Sequence, residues 1–264
     1  MGAKDLWQSW TVQKRVLGAL IMRETYTRFG RENLGFAWMY GEFLIFAMPV
    51  IIMWHFIRGN MEHGLLVVPF VWSGYLPILL FRHIGGHMLH AARLNRSLFY
   101  HRNVTPFDAI LARMAVEIFG NWGAAAFSYL LFYAIGVVNW PHDMPLLFVG
   151  YFYMTWWCVS VGLIIAAFSE RTVLFEKIWA PVSYMYLPVS GFFYMAAWLP
   201  ASVRSVFLSV MPALPCYEMI RAGIFGPVMR YYYDDIPRLS FILAAITLFG
   251  LLGLRDIRRY VINE

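Results

Sequence analysis

The sequence predicts an all-α integral membrane protein: six transmembrane helices, an N-terminal amphipathic interfacial helix, and broken re-entrant outer helices after the fifth span. Three observations predict this class. Hydrophobic residues make up 61% of the 264 residues and charged residues only 14%, whereas soluble domains average roughly 25% charged residues. Long apolar stretches recur along the chain, and the basic residues cluster on one side of them.

Six of these apolar stretches are long enough to be membrane spans. Each is near or above the roughly 20 residues that cross ~30 Å of hydrocarbon as a helix. The predicted spans are Phe36–Ile57, Gly64–Phe81, Pro106–Val137, Pro145–Phe168, Val173–Met195 and Pro237–Leu254. We therefore expect residues 36–264 to form one transmembrane domain, and residues 1–35 to form a cytoplasmic interfacial helix and its connector.

The distribution of Lys and Arg predicts the orientation of the bundle. Fifteen of the 21 basic residues lie in the N-terminal arm, in the connections after spans two and four, or in the tail. Five lie on the other side, and Arg113 lies within span three. Because cytoplasmic segments are enriched in Lys and Arg, we expect both termini in the cytoplasm. The net charge of +6 then faces anionic membrane lipids and requires no nucleic-acid partner.

Residues 4–22 form an amphipathic stretch that is too polar to be a span. Its polar positions recur at helical spacing opposite an apolar set. The polar positions are Lys4, Gln8, Thr11 and Arg15, and the apolar ones are Leu6, Trp10, Leu17 and Leu20. Such a helix lies in the membrane interface. It is either a simple anchor or a surface on which an ATPase acts.

Neither a metal site nor a disulfide is predicted. His83, His87 and His90 follow i, i+4, i+7 spacing between spans two and three, which would place them on one helix face. A metal could use that spacing. However, no cysteine or carboxylate lies nearby in sequence, so a solvated or partner-facing helix is expected. Cys158 lies within span four and Cys216 on the outer side, which disfavours a bond between them.

Span three carries a polar stripe at the depth of the bilayer. Arg113, Glu117 and Asn121 are four residues apart, so they share one helix face. A charge in the bilayer is costly unless it is paired or hydrated, so we expect the stripe to face the bundle interior. Two interpretations remain open, a structural Arg113–Glu117 ion pair and the lining of a translocation pathway. A proton relay is disfavoured because no further carboxylates continue the stripe.

Span five also carries a patterned face. Trp179, Ser183, Tyr186 and Ser190 recur at i, i+4, i+7, i+11, so aromatic rings alternate with hydroxyls. Aromatic planes and hydroxyls suit the C–H faces and hydroxyls of a sugar, and the same pattern also suits helix packing. Both interpretations stay open, with Trp179 and Tyr186 as the pathway candidates.

The segment from Leu187 to Tyr233 is too broken for another full span and too apolar for an ordinary outer loop. Irregular backbone at membrane depth must be buried in protein or line a cavity. Short re-entrant or interfacial helices are therefore expected there. The interrupting prolines are Pro188, Pro200, Pro212, Pro215 and Pro227.

Several stretches of the chain follow one another in a recognisable order. They are Met22–Arg31, Leu34–Trp38, Asn103–Asp108 with Ala112, Arg113 and Glu117 beyond it, and Leu214–Arg221. These stretches resemble type-2 ABC export permeases, and most closely the capsular polysaccharide exporter permeases of Gram-negative bacteria. The resemblance covers nearly the whole chain, and it depends on the order and spacing of the stretches more than on any one motif.

The resemblance implies a half-transporter in the bacterial inner membrane. Two copies of the chain would pair with two copies of a cytoplasmic P-loop ATPase and conduct a lipid-linked polysaccharide. A periplasmic adaptor and an outer-membrane channel would continue the path. The loop around Arg93, Arg96 and Arg102 would couple the chain to the ATPase.

The energy source is expected outside this chain. The sequence contains no G-x-x-x-x-G-K-[ST] loop, so the partner ATPase would bind ATP and Mg, and the chain itself would hold no catalytic residue or cofactor. Because capsules of this group are commonly acidic, Arg204, Arg221 and Arg230 are candidates for the outer mouth of the pathway. Ordinary surface charges are the alternative interpretation.

Three other functions compete with this one. An O-antigen or teichoic-acid exporter permease would have the same fold and a different cargo. A membrane glycosyl- or acyltransferase would need paired interfacial carboxylates, and the adjacent Asp234 and Asp235 lie on the wrong side for a cytoplasmic sugar-nucleotide donor. A proton-coupled carrier would need an inverted repeat and more buried carboxylates.

Overall fold

The computed structural model describes residues 3–29, 41, 45, 48–54, 56–57, 59, 61–94, 104–228, 230–255 and 257. Within these ranges the protein is all-α apart from one small hairpin, in which β1 (Met61–Glu62) pairs antiparallel with β2 (Leu65–Leu66). Residues 48–54 are helical. The bounded helices are α1 (Ala3–Phe29), α2 (Val67–Met88), α3 (Pro106–Ala134), α4 (Met144–Ser169), α5 (Val173–Val189), α6 (Ala201–Val210), α7 (Ala213–Phe225) and α8 (Ile236–Leu254).

The described helices agree with a membrane protein. Among the described residues, α2, α4 and α8 are long and apolar enough to cross a bilayer. The 29 residues of α3 would extend ~43 Å at helical rise, and this helix is more polar because it carries Asp108, Arg113 and Glu117. Predicted spans two to six coincide with α2, α3, α4, α5 and α8, whereas most of the predicted first span lies outside the described residues.

Two helices end at residues other than the predicted span ends. Helix α2 continues beyond the predicted span end at Phe81 to Met88, so Gly85 and Gly86 lie inside it. Helix α5 ends at Val189, well before Met195, because the chain turns at Gly191 with a positive φ of 98°. Glycine has no Cβ and adopts this conformation without strain.

Local signals fix the starts of three helices. Thr105 and Asp108 form a reciprocal capping box at the start of α3. The Asp143 side chain accepts a hydrogen bond from a backbone amide in the first turn of α4, and Asp235 does the same for α8. Each cap is followed by a proline in the first turn, where its missing N–H costs nothing.

Helix α4 lies at the centre of the bundle and packs against α2, α7 and α8. Glycines permit the closest of these contacts. A Cβ atom at Gly150 would lie 2.7 Å from the backbone nitrogen of Ile220, and one at Gly223 would lie 2.6 Å from that of Leu147. The backbones of α4 and α7 therefore touch directly, and residues 213–225 are buried along most of their length.

The chain after α5 is broken into short helices, as predicted. A 3-10 turn at Ala196–Trp198 precedes α6, and α7 follows two residues after α6 ends. Helix α6 has no buried residue, whereas α7 lies in the interior between α2 and α4. The 13 residues of α7 extend only ~20 Å, which is too short to cross a bilayer.

Candidate functional site

Polar side chains gather at one end of the bundle, which we call the arginine-rich end. Here α2 ends, α3 begins and α4 turns into α5. Of the three residues expected to couple to an ATPase, Arg93 lies at this end and is exposed. Arg96 and Arg102 lie outside the described residues.

Helix α1 is attached to α3 by polar contacts. The Arg113 Nε atom lies 2.8 Å from the Glu24 carboxylate, and Arg113 Nη1 donates to the His87 carbonyl at 3.3 Å. In the first turn of α3, the Asp108 carboxylate accepts a hydrogen bond from Gln13 of α1. The predicted Arg113–Glu117 pair is therefore wrong, because α1 supplies the partner of Arg113.

Glu117 faces two histidines of α2. Its carboxylate is 7% exposed and lies 2.7 Å from His87 Nδ1 and 3.3 Å from His83 Nδ1. No carboxylate lies near these histidines in sequence, but folding brings Glu117 of α3 against the last turns of α2. His90 does not share their face, because it lies beyond the helix with a positive φ of 53°.

The polar stripe of α3 faces the protein interior, as expected. Asn121 donates to the Leu76 carbonyl of α2 at 3.1 Å and accepts from the Tyr151 hydroxyl of α4 at 3.0 Å. Both ends of its amide are thus used in contacts between helices. Whether the stripe also lines a pathway stays a prediction.

A buried carboxylate at the α4–α5 turn holds the segment that follows α2. The Glu170 side chain is 1% exposed, and its Oε1 atom accepts from the amides of Ala92 and Arg93, both at 3.0 Å. The Arg93 Nε atom lies 3.5 Å from the other oxygen, and the Ser169 hydroxyl accepts from the His90 amide at 3.2 Å. We call residues 90–93 with Ser169 and Glu170 the Glu170 staple.

The patterned face of α5 packs against other helices of the same chain. The Tyr186 ring stacks on Phe81 with centroids 4.3 Å apart, and its hydroxyl accepts from Trp157 Nε1 at 2.9 Å. Trp179 lies over Gly85 of α2 and beside Phe81, with ring centroids 5.7 Å apart. These contacts are those of helix packing, and a sugar-lining role for Trp179 and Tyr186 stays a prediction.

Neighbouring glycines of α2 provide a test of this packing. A Cβ atom at Gly85 would lie 2.2 Å from the Trp179 ring, whereas one at Gly86 would have nothing within 4 Å. We expect Gly85→Ala to lower the free energy of unfolding by about 1–3 kcal/mol through overpacking. Gly86→Ala should be neutral or stabilising by up to about 1 kcal/mol. Thermal unfolding of the two purified variants checks this, and equal midpoints would contradict the contact.

A second polar network lies at the opposite end of the bundle and includes Arg221. This side chain is fully buried, and it donates to the carbonyls of Tyr194 at 2.6 Å and Phe192 at 2.7 Å. It also approaches the Ser73 hydroxyl at 3.4 Å. Arg221 was expected at an outer mouth or on the surface, but the structure places it inside, where it fixes the chain after α5.

Glu218 completes this buried network from the same helix. Its two oxygens accept from the amides of Ala196 at 3.0 Å and Tyr232 at 3.1 Å. Burial raises the pKa of Glu218, while the Ala196 amide and Arg221 oppose that rise. Burial lowers the pKa of Arg221 to about 10, and the Glu218 charge opposes that fall. Glu218 was not among the predicted site residues, although it lies in one of the stretches that carry the family resemblance.

The other two outer-mouth candidates meet at one aromatic ring. The guanidinium carbon of Arg204 lies 4.3 Å from the Tyr232 ring centroid, and that of Arg230 lies 5.1 Å from it. The backbone amide of Tyr232 donates a hydrogen bond to Glu218, which positions this residue. A cavity of about 330 Å³ adjoins it, lined also by Ser205 and Ser209.

Helix content, apolar helices and buried polar contacts between them define an all-α integral membrane protein. The chain belongs to the family of capsule polysaccharide export inner-membrane proteins. It is 35% identical over 258 residues to the capsule polysaccharide export inner-membrane protein BexB of Haemophilus influenzae, covering 96% of this chain and 95% of that protein. The similarity to the corresponding CtrC protein of Neisseria meningitidis serogroup B is 36% over 222 residues, or 84% and 83% of the two chains.

A shorter similarity extends to a third relative. Over 106 residues, 40% of this chain and 41% of the relative, the sequence is 31% identical to the polysialic acid transport protein KpsM of Escherichia coli. No protein-family profile matches the chain. The resemblance identified from the sequence is confirmed by the near full-length relatives.

Proposed function

We propose that this chain is the membrane permease subunit of an ATP-driven ABC transporter that exports lipid-linked capsular polysaccharide across the inner membrane. The observation that carries the proposal is the similarity along nearly the whole chain to BexB, a capsule polysaccharide export inner-membrane protein. Because the match covers 95% of that relative, it includes the whole transmembrane bundle and not one shared segment.

In this proposal the chain crosses the membrane six times. Residues 48–54 belong to the first span, and α2, α3, α4, α5 and α8 are the other five. The excess of basic residues at the arginine-rich end supports a cytoplasmic location of that end and of both termini. The short α7 enters the bundle from the outer side as a re-entrant helix, which its interior position between α2 and α4 supports.

The energy for transport comes from a partner in this proposal. Two copies of the chain assemble with two copies of a cytoplasmic P-loop ATPase, which binds ATP and Mg. The exposed Arg93 and Leu94, held by the Glu170 staple, form part of the docking surface together with α1. A periplasmic adaptor and an outer-membrane channel continue the path of the polymer.

Deleting the gene in its native host tests the cargo. The proposal predicts polysaccharide trapped inside the cell and ending in a phospholipid-type anchor, with surface capsule restored by the wild-type gene. Polymer trapped on a polyprenyl carrier would indicate O-antigen export instead. Normal surface polysaccharide of every kind would contradict an export function.

Co-purification tests the mechanism separately. An affinity-tagged chain should retain a P-loop ATPase, and the complex should hydrolyse ATP, whereas the chain purified alone should not. A chain that transfers sugar or acyl groups without any partner would indicate a membrane enzyme and contradict the proposal.

The arginines around Tyr232 provide a second test. We expect Arg204→Gln combined with Arg230→Gln to slow export of an acidic polymer without preventing assembly, because two cations at one partly exposed ring attract anionic groups. The matched control replaces both residues with lysine, which keeps the charge. Surface polymer is measured at equal protein levels, and normal export in the glutamine variant would contradict the role.

A further inference from the structure

A pocket opens between α3 and α4 at the end opposite the arginine-rich end. Its volume is about 330 Å³, and its wall surface is almost entirely carbon. Trp72 forms the floor from α2, Trp122 and Tyr129 line one side from α3, and Tyr151 lines the other from α4. Trp140, from the loop between these helices, stands at the mouth.

Four of the lining rings hydrogen-bond through their polar atoms to partners within the protein. Trp72 Nε1 donates to Ser128 at 3.0 Å, and Trp122 Nε1 donates to Thr155 at 2.9 Å. The Tyr129 hydroxyl donates to the Asn139 carbonyl at 2.9 Å, and the Tyr151 hydroxyl donates to Asn121 at 3.0 Å. The pocket is thus left with aromatic faces and aliphatic carbon.

Such a wall selects against polar ligands. A sugar ring would leave its hydroxyls without hydrogen-bond partners, which costs several kcal/mol in an apolar site. Water is equally disfavoured, since apolar cavities stay dry. A hydrocarbon chain loses no hydrogen bond on entering and fills the void.

The position of the pocket matches one leaflet of a bilayer. The mouth carries Trp140, packed edge-on against Tyr133 with ring centroids 5.4 Å apart, and such aromatic pairs typically mark the membrane–water interface. From the end of α3 at Ala134 down to Trp122, the helix descends ~18 Å, which is about half of the ~30 Å hydrocarbon thickness. At the sides, Leu130 and Phe148 are 54% and 52% exposed, so the pocket also opens laterally toward lipid.

We infer that this pocket binds one hydrocarbon chain of a lipid from the leaflet at this end. Two lipids offer the same chemistry, a phospholipid of the surrounding bilayer and the lipid anchor of the exported polymer. The first source depends only on the pocket, and the second rests on the proposed function.

Photolabelling tests the inference with the complete transporter, that is, the chain together with its partner ATPase. The complex is reconstituted in vesicles of phosphatidylethanolamine and phosphatidylglycerol that contain a small fraction of phosphatidylcholine with a diazirine in one acyl chain. After irradiation, mass spectrometry locates the label. We expect labelling at Trp122–Leu130 and Trp140–Tyr151 well above that of the exposed face of α8, which represents lipid that is not bound at a site.

A pocket-filling variant and a matched control test whether the labelling depends on the space inside the pocket. Ala126→Trp places an indole in the pocket, and we expect its labelling to fall to the level of α8. Ala245→Trp makes the same change at an exposed position of α8 and should keep the pocket label. If Ala126→Trp does not fold, Leu130→Trp fills the same space from an exposed position.

Further outcomes distinguish bilayer phospholipid from the lipid anchor of the polymer, and both of them from a second copy of the chain that covers the pocket. Vesicles loaded with the host's lipid-linked polymer should lose the label if the anchor shares the pocket, and should keep it if only bilayer lipid binds. Either result supports the inference. Labelling no stronger than on α8 would overturn it. A disulfide between two copies through Ala126→Cys would also overturn it, by showing that a second copy covers the pocket; the native Cys158 and Cys216 are buried.

Discussion

Replacing Arg221 with leucine is expected to lower the free energy of unfolding by about 2–5 kcal/mol, because two carbonyls lose their charged donor and each buried polar group left unpaired costs about 1–3 kcal/mol. Leucine cannot donate to the carbonyls of Phe192 and Tyr194, which stay buried without their partner. It also leaves the buried Glu218 carboxylate without its nearby cation. Because whole domains are stable by only about 5–15 kcal/mol, the amount of folded protein in the membrane should fall sharply.

The matched control for this variant is Arg204→Leu. Arg204 is partly exposed, and its contact with the Tyr232 ring contributes only about 0.5–1 kcal/mol. Thermal unfolding in detergent and membrane abundance are compared for both variants. If Arg221→Leu unfolds at the wild-type temperature, the buried network does not hold the chain after α5.

A double variant separates loss of the charge from loss of the hydrogen bonds. Glu218→Gln removes the carboxylate charge while keeping an oxygen for the amides of Ala196 and Tyr232. Combined with Arg221→Leu, it should be less destabilising than the sum of the two single changes, because no unpaired charge remains. Simple additivity would mean that the coupling between Arg221 and Glu218 is negligible.

Local signals made much of the fold predictable from the sequence. The starts of α3, α4 and α8 were predictable because each depends on neighbouring residues, a capping side chain followed by proline. The break after α5 was predictable for the same reason, since prolines and Gly191 act within their own turns.

Partners from distant segments were not predictable. The i, i+4 spacing suggested that Arg113 pairs with Glu117, but α1 delivers Glu24 to Arg113 and α2 delivers two histidines to Glu117. Spacing within one helix shows which residues share a face and carries no information on what packs against that face.

Two functional-site candidates were missed because their partners are backbone groups. Glu170 and Glu218 both accept hydrogen bonds from amides, which every residue possesses and no sequence pattern marks. Glu218 is a lone carboxylate in an apolar stretch, whereas Glu170 adjoins Arg171 in a connection where charges are ordinary. Arg221 was predicted as a site residue but at the wrong place. Its charge suggested an exposed position, whereas the structure buries it against the Phe192 carbonyl.

Removing the Glu170 carboxylate is expected to uncouple ATP hydrolysis from export. Hydrogen bonds to a charged acceptor contribute about 1.5–3 kcal/mol each, and Glu170→Ala removes two of them, from the amides of Ala92 and Arg93. The segment after α2 would then detach from the α4–α5 turn. On the proposed function, this segment receives the movement of the ATPase, so a loose segment would move without displacing α4 and α5.

The measurement that isolates this effect is the ratio of polymer exported to ATP hydrolysed in reconstituted vesicles. Glu170→Ala should lower that ratio strongly, and Glu170→Gln should lower it less because it keeps one oxygen for the two amides. Glu176→Ala is the matched control and should leave the ratio unchanged, since the contact described for this half-exposed carboxylate is with the His90 ring at 3.0 Å and not with the two amides. An unchanged ratio in Glu170→Ala, with export and hydrolysis falling together in proportion to folded protein, would mean that the Glu170 staple stabilises the fold and does not transmit movement. The ratio of polymer exported to ATP hydrolysed therefore distinguishes a coupling role of the Glu170 staple from a purely structural one.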